Sequence, residues 1–341
     1  MASVEYATLR KKRIMKTKFA ETIPHAVYQR VKHRGPIAQT WLEQIPDAVA
    51  ELESAWDITV GALYRDGSDS LVFSAQNGSE KHCVLKMQMP KTQSEPTTEV
   101  EALRAAAGYG YVKLIAHDNA RKALLLERLG APIAHAGLST EAQVEAICVA
   151  LQTSWQATSD PAVSSAKSLH SLTPGTVKAD WLAKFIPHVW NALDQPCSAS
   201  LVDLALRFID DRRGAWQPDS WVLSHGDLHE FNVLASGGED DQRFKLVDPE
   251  GLRFEASYDL GMLMRNWPEE YDVARDAIGK ADVALRRCRF IAASSGCAET
   301  PIWRWGYVET LSTSLHLIEL GFDAEGRAML ALAKAMQMVS I

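Results

Sequence analysis

The stretch Trp221–Gly251, WVLSHGDLHEFNVLASGGEDDQRFKLVDPEG, decides how the rest of the chain is read. A short apolar run, Trp221–Leu223, leads into the polar segment Ser224-His225-Gly226-Asp227-Leu228-His229-Glu230-Phe231-Asn232. Val233 and Leu234 follow, Gly237 and Gly238 mark a turn, and Arg243–Val247 is a further β-like run with Asp248 at its end. Two strand-like runs flanking a polar loop place Asp227, Asn232 and Asp248 at the ends of neighbouring segments, where they can converge. Acid, amide and acid are oxygen donors. Such a set suits a hard cation like Mg²⁺, which keeps part of its water shell and shares a phosphate. It also leaves one acid to hold a hydroxyl nucleophile.

The spacing resembles that of the protein-kinase catalytic loop, in which an Asp precedes an Asn by five positions and a metal-binding Asp ends the next strand. Gly226 stands where kinases have Arg, and Asp248-Pro249-Glu250 where they have Asp-Phe-Gly. The run from His225 to His229, with Asn232, resembles the small-molecule branch, the aminoglycoside phosphotransferases. The continuation Asp248-Pro249-Glu250-Gly251, Tyr258-Asp259-Leu260 and Arg265-Asn266 resembles one subgroup, the streptomycin 6-phosphotransferase or hydroxyurea-resistance kinase family. The resemblance runs from Ile23 onward and includes Trp41-Leu42, Lys86 and Glu127-Arg128-Leu129. It implies an α+β, bilobal, protein-kinase-like fold, its small lobe a five-stranded antiparallel sheet plus helix and its large lobe mainly helical. The implied division is a basic arm at 1–22, a nucleotide-binding lobe at 23–127 and a catalytic lobe at 128–341.

Composition agrees with two folded lobes. The 341 residues are 47% apolar and 23% charged, ordinary values for a globular protein with room for two cores. A net charge of -7, from 36 basic and 43 acidic residues, argues against a nucleic-acid partner and is compatible with a cationic ligand. Five cysteines without a C-x-x-C pair argue against a disulfide framework or structural zinc, and point to a reducing cytoplasm. No apolar run reaches the length of a membrane helix, and no apolar segment follows the N-terminal basic residues as in a secretory signal. Those basic residues, Arg10 to Lys18, read as a solvated tail or as an arm for acidic partners, and Met15 is a second candidate start.

Trp41, Leu42, Ile45, Val49, Leu52 and Trp56 repeat at helical spacing, which predicts an amphipathic helix over 38–56, interrupted or restarted at Pro46-Asp47. Strand-like runs follow at 58–64, 70–75 and 82–87, separated by Asp66-Gly67-Ser68-Asp69 and the hairpin signal Asn77-Gly78. In a kinase lobe the first of these turns lies over the nucleotide phosphates, with backbone N–H groups near Ser68 as donors. Lys86, set in the apolar run Val84-Leu85, either snorkels to solvent or meets an anion. It resembles the third-strand lysine that grips the α and β phosphates. Its orienting acid is expected on the next helix. Glu99 lies one residue from Val100 and four from Leu103, on the buried face, whereas Glu101 points away. A slip of one turn would make Glu95 the partner. Runs at 111–117 and 122–126 complete five strands, and the backbone around Glu127 and Leu129 is the implied adenine-binding hinge.

Beyond Leu138 the pattern is helical: a start at Ser139-Thr140-Glu141, a Ser/Pro/Thr-rich loop at 159–175, and helices at 181–190 and 199–212. A helix follows Tyr258, with Asp259 in a supporting role, and two long helices at 303–320 and 324–338 close the chain. The resemblance implies ATP or GTP with Mg²⁺ as cofactors. Asp227 would take or orient the acceptor hydroxyl's proton, and Asn232 and Asp248 would hold the metal. His225 would hydrogen-bond the loop rather than titrate. For a cationic aminoglycoside such as streptomycin, Glu269, Glu270 and Asp272 are candidate acceptor carboxylates; a solvated helix face explains them equally well. Three departures from the family pattern bear on the acceptor: Glu250 in place of a basic residue, His316 in place of a Trp, and the extra basic arm. The alternatives are a metabolic kinase for an amino sugar, peptide antibiotic or other hydroxyl compound, and a non-catalytic nucleotide-binding protein.

Overall fold

The computed structural model describes residues 23–65, 69–90, 98–160, 169–237, 243–274, 276–339 and 341. The basic arm, Met15, Ser68 and Glu95 lie outside the described residues. Two compact units emerge: the described residues through Val100 with Val112–Arg128, and Glu101–Tyr111 with Leu129–Ile341.

The first unit opens with two helices, α1 (His25–Arg34) and α2 (Pro36–Trp56). The sequence predicts an interruption or restart at Pro46-Asp47, but α2 continues unbroken through it. A helix-interior proline costs about 3 kcal/mol, and apolar burial offsets it: Ala38, Trp41, Ile45, Val49 and Leu52 continue one buried face on both sides of Pro46. That face packs with Leu71, Phe73, Leu85 and Met87 of the sheet. The sheet comprises β1 (Ile58–Leu63), β2 (Ser70–Asn77), β3 (His82–Gln88), β4 (Leu114–Asp118) and β5 (Ala123–Glu127), in the order β1-β2-β3-β5-β4. Every neighbouring pair is antiparallel, as expected for the small lobe. β3 is central, with Lys86 opposite Val72 on one side and Leu124 on the other. The hairpin at Asn77-Gly78 is present: Asn77 Oδ1 accepts from the N–H groups of Ser79 and Lys81 at 3.1 and 2.9 Å.

Helix α3 (Thr98–Ala106) carries Glu99 in its first turn. The strand expected at 111–117 begins only at Leu114, because Tyr111 forms a parallel bridge to Leu246 instead.

The second unit is mainly helical: α4 (Thr140–Ser159), α5 (Gly175–Ala192), α6 (Ala199–Gly214), α7 (Ala256–Met262), α8 (Pro268–Val273), α9 (Ala277–Ser295), α10 (Glu299–Glu319) and α11 (Asp323–Gln337). Ser139 caps α4, accepting from Ala142 N at 3.3 Å. Helix α10 is the hub. Trp303, Trp305, Tyr307 and Leu311 on it are essentially fully buried, and it packs on α5, α6, α7, α9 and α11. Its all-round apolar surface is the mark of a core helix. Helix α9 is not legible in the sequence, where Ala, Arg and Cys alternate without a clear apolar stripe. Three short strands, β7 (Val222–Ser224), β8 (Val233–Ala235) and β9 (Phe244–Leu246), lie within the stretch Trp221–Gly251. β10 (Leu252–Phe254) then pairs with β7 and with β6 (Thr173–Pro174).

Candidate active site

Strands β8 and β9 pair antiparallel with Val233 opposite Leu246. The ladder continues one step further, Val247 N donating to Asn232 O at 3.0 Å. Asn232 and Asp248 therefore flank the same end of one hairpin. This is backbone geometry that the alternation of runs predicts. Asn232 Nδ2 donates to Asp227 O at 3.0 Å, which turns the amide oxygen the other way and ties the loop to the hairpin. Asp248 is exposed and has φ +61. A left-handed backbone at a non-glycine residue is most easily tolerated by Asn and Asp, and it concentrates at functional positions.

The loop itself rests on buried polar groups. Asp259 is fully buried and accepts three hydrogen bonds, from Ser224 Oγ at 2.8 Å, His225 N at 2.7 Å and Gly226 N at 3.0 Å. Burial pushes its carboxyl above the ordinary value despite these donors. His225 is buried too, stacked on Tyr111. Its Nε2–H donates to Val247 O at 2.7 Å, and its Nδ1 accepts from Asp227 N at 3.2 Å. Both ring nitrogens are spent on backbone, so His225 braces the loop, as expected. Gly226 has φ +86, and a Cβ there would lie 2.8 Å from Glu250. Only glycine fits this turn, which accounts for Gly226 at the position where kinases have Arg.

Asp227, in contrast, is exposed. Burial of its surroundings opposes ionisation, but Arg265, His229, His225 and Lys178 outweigh it and hold the carboxyl below the ordinary value. Arg265 Nη2 lies 3.5 Å from Asp227 Oδ1, and its Nη1 lies 3.9 Å from Glu309 Oε2. Glu309 is buried and accepts from Tyr258 Oη at 2.7 Å. Arg265 belongs to a family-like motif that by itself assigns it no role. What could have found it is its place at the end of the turns that begin with Tyr258-Asp259. His229 Nε2 stands 3.9 Å from Asp227, and burial lowers its pKa.

In the first unit Lys86 and Glu99 are both buried, and Lys86 Nζ donates to both Glu99 oxygens at 2.8 Å. Gln88 Nε2 adds a hydrogen bond of 2.5 Å to Glu99 Oε2. Glu127 closes β5, accepting at Oε1 from Lys113 N at 2.8 Å, and Leu129 opens the second unit half-buried. Of the acids considered for the acceptor, Glu270 is bound by Arg287 at 2.5 Å and Asp272 lies 3.8 Å from Lys280. Glu269 is exposed and close enough to Glu230 to raise its pKa further beyond the effect of burial. Trp267, Trp303 and Trp305 are buried in the core.

The sequence profile of the aminoglycoside/hydroxyurea antibiotic resistance kinase family matches residues 55–319. The chain belongs to that family. Streptomycin 6-kinase of Streptomyces glaucescens is 27% identical over 306 residues, covering 89% of this chain and 92% of that one. Hydroxyurea phosphotransferase of Kitasatospora aureofaciens is 26% identical over 232 residues, 67% of this chain and 64% of that one. The GDP complex of an aminoglycoside 2′-phosphotransferase-IIIa variant shares the protein-kinase-like fold, with a TM-score of 0.53 and 12% identity over 86% of this chain and 97% of that one. This family member is thus a phosphotransferase that acts on a small molecule with a nucleotide as donor. Among its described residues no helix is long and apolar enough to cross a membrane.

Proposed function

We propose that this kinase transfers the γ-phosphoryl group of ATP to a hydroxyl of a cationic aminoglycoside of the streptomycin type, and that it does so in the cytoplasm. The observation that carries the reading is an exposed, ionised Asp227 on a braced loop, tied by Asn232 to the hairpin end that also carries Asp248. In phosphoryl transfer the protein mainly positions reactants and neutralises charge. Asp227, held ionised by Arg265, accepts a hydrogen bond from the acceptor hydroxyl and receives its proton. Lys86, fixed by Glu99, grips the nucleotide's α and β phosphates. The backbone at Glu127 and Leu129 takes the adenine edge. Residues 23–127 serve as the nucleotide lobe and 128–341 as the catalytic lobe. Glu269, with Glu270 and Asp272 behind their basic neighbours, contributes negative potential for a cationic acceptor.

The donors fit Mg²⁺. Asn232 offers an amide oxygen whose nitrogen is already committed, Asp248 offers an exposed carboxylate, and both are hard ligands. Among the described residues no group of three or more His, Cys, Asp or Glu side chains forms a metal centre. Two protein oxygens with water and phosphate completing the shell is the usual magnesium arrangement. When bound there, the ion neutralises charge on the β and γ phosphates.

A coupled ATPase screen across aminoglycosides, peptide antibiotics and sugars, with mass spectrometry for one added phosphate, tests the reading. The expected result is turnover with streptomycin. Turnover only with sugars or other metabolites would replace the acceptor, and Mg-ATP binding without any product would remove the enzymatic reading. Asp248→Ala should abolish activity or raise the Mg²⁺ requirement; unchanged metal dependence would take Asp248 out of the metal site.

A further inference from the structure

Helix α5 places Lys178 and Trp181 one turn apart on the same face. Lys178 Nζ donates to Glu250 Oε2 at 2.8 Å and stands 5.3 Å from the centroid of the Trp181 ring. Trp181 is stacked on Phe185 at 4.5 Å and is half exposed. Glu250 is held from behind: its N–H donates to His225 O at 2.7 Å, and its side chain lies against Gly226, the residue before Asp227. Its side chain keeps 39% exposure, and among the described residues Oε1 accepts no hydrogen bond. The charges facing Lys178 are Glu250, Glu309 and Asp227. A carboxylate and an aromatic face converging on one ammonium make a cation-recognition site, and it adjoins the residue that would receive the acceptor hydroxyl.

We propose that Glu250 and Trp181 form the slot for a cationic group of the acceptor, and that Lys178 is the chain's own ammonium occupying it until the acceptor displaces it. The proposal rests on the reading of Asp227 as the acceptor-side residue. A guanidinium is the better occupant, because it can hydrogen-bond both carboxylate oxygens and stack its plane on the indole, whereas an ammonium is a point charge. Glu250 uses only one oxygen on Lys178, so a second is ready for that fork. Displaced, Lys178 remains within the field of Glu309 and Asp227 and needs no distant counter-charge. An acceptor lacking a cation gains nothing from evicting the lysine, so the pair selects for charge next to the reacting hydroxyl.

The test is equilibrium binding of streptomycin, which carries guanidinium groups, to the full chain with Mg-ADP, measured by calorimetry. Lys178→Met should tighten streptomycin binding by about tenfold, and Glu250→Gln should weaken it by a similar factor in both the parent and the Lys178→Met background. Mg-ADP affinity and melting temperature, measured in parallel, show that each variant is folded. Weaker or unchanged binding in Lys178→Met, or indifference to Glu250→Gln, overturns the slot. If the parent protein does not bind streptomycin, Lys178→Met must confer binding, and failure to do so overturns it equally. Binding that follows this pattern without phosphorylation would leave the slot standing and reject streptomycin as the substrate.

Discussion

Lys86–Glu99 and Asp227–Asn232–Asp248 are both built from charged and polar side chains, but they are held in opposite ways. The first pair is buried, a bidentate ion pair between a central strand and the first turn of a helix. The second set is exposed at both carboxylates, and its geometry comes from backbone: a two-stranded ladder, a glycine turn and a buried acid beneath. In a buried pair each charge offsets the other's desolvation, so removing one destabilises the fold. Exposed carboxylates on a rigid frame face solvent, where ligands arrive. Altering the first should therefore cost stability as well as activity, and altering the second should cost activity alone.

Asp227→Ala is the sharpest test, with the largest effect. It should lower kcat by about 10² to 10⁴ while the melting temperature hardly moves; retained acceptor-dependent ATP turnover would break the comparison. Glu99→Ala should raise the KM for ATP and cost about 3 kcal/mol of stability, because a buried ammonium loses the carboxylate that offsets its desolvation. A thermal melt unchanged from the parent would show that the pair is not part of the fold. Gly226→Ala should destabilise by about 1 to 3 kcal/mol and depress kcat together, since a Cβ is strained at the left-handed φ of +86 and meets Glu250. The smallest effect concerns pH. Asp227 is held below its ordinary pKa, so it ionises early and the acid limb of kcat/KM falls at low pH, as the carboxylate gains its proton. Arg265→Met removes the foremost stabilising charge and should move that limb upward; a limb that stays in place would assign it to another group.

The same contrast explains what could be read in advance. Lys86 and Glu99 were visible because a charge in an apolar run, and an acid one residue from a buried valine, have few uses inside a protein. Asp227, Asn232 and Asp248 were visible because they stand in the loop between two strand-like runs, at the start of the second and at the end of the third. The helix break at Pro46 failed to appear because burial along α2 outweighed a local preference, and α9 escaped notice because its burial depends on neighbours rather than on its own stripe. Lys178 escaped for a related reason: it lies 72 positions from Glu250, and nothing in a helix pattern says which distant carboxylate a lysine will meet.

By itself the sequence determined the strand alternation, the loop residue types and the family to which the chain belongs, since these depend on local period and on motif spacing. Only the tertiary structure decided which charges reach Asp227: Arg265, itself near Glu309, and Lys178, itself paired with Glu250. The physical reason is one of range. Backbone pairing follows from neighbouring residues, whereas an ion pair across the core exists only once packing has brought separate elements together.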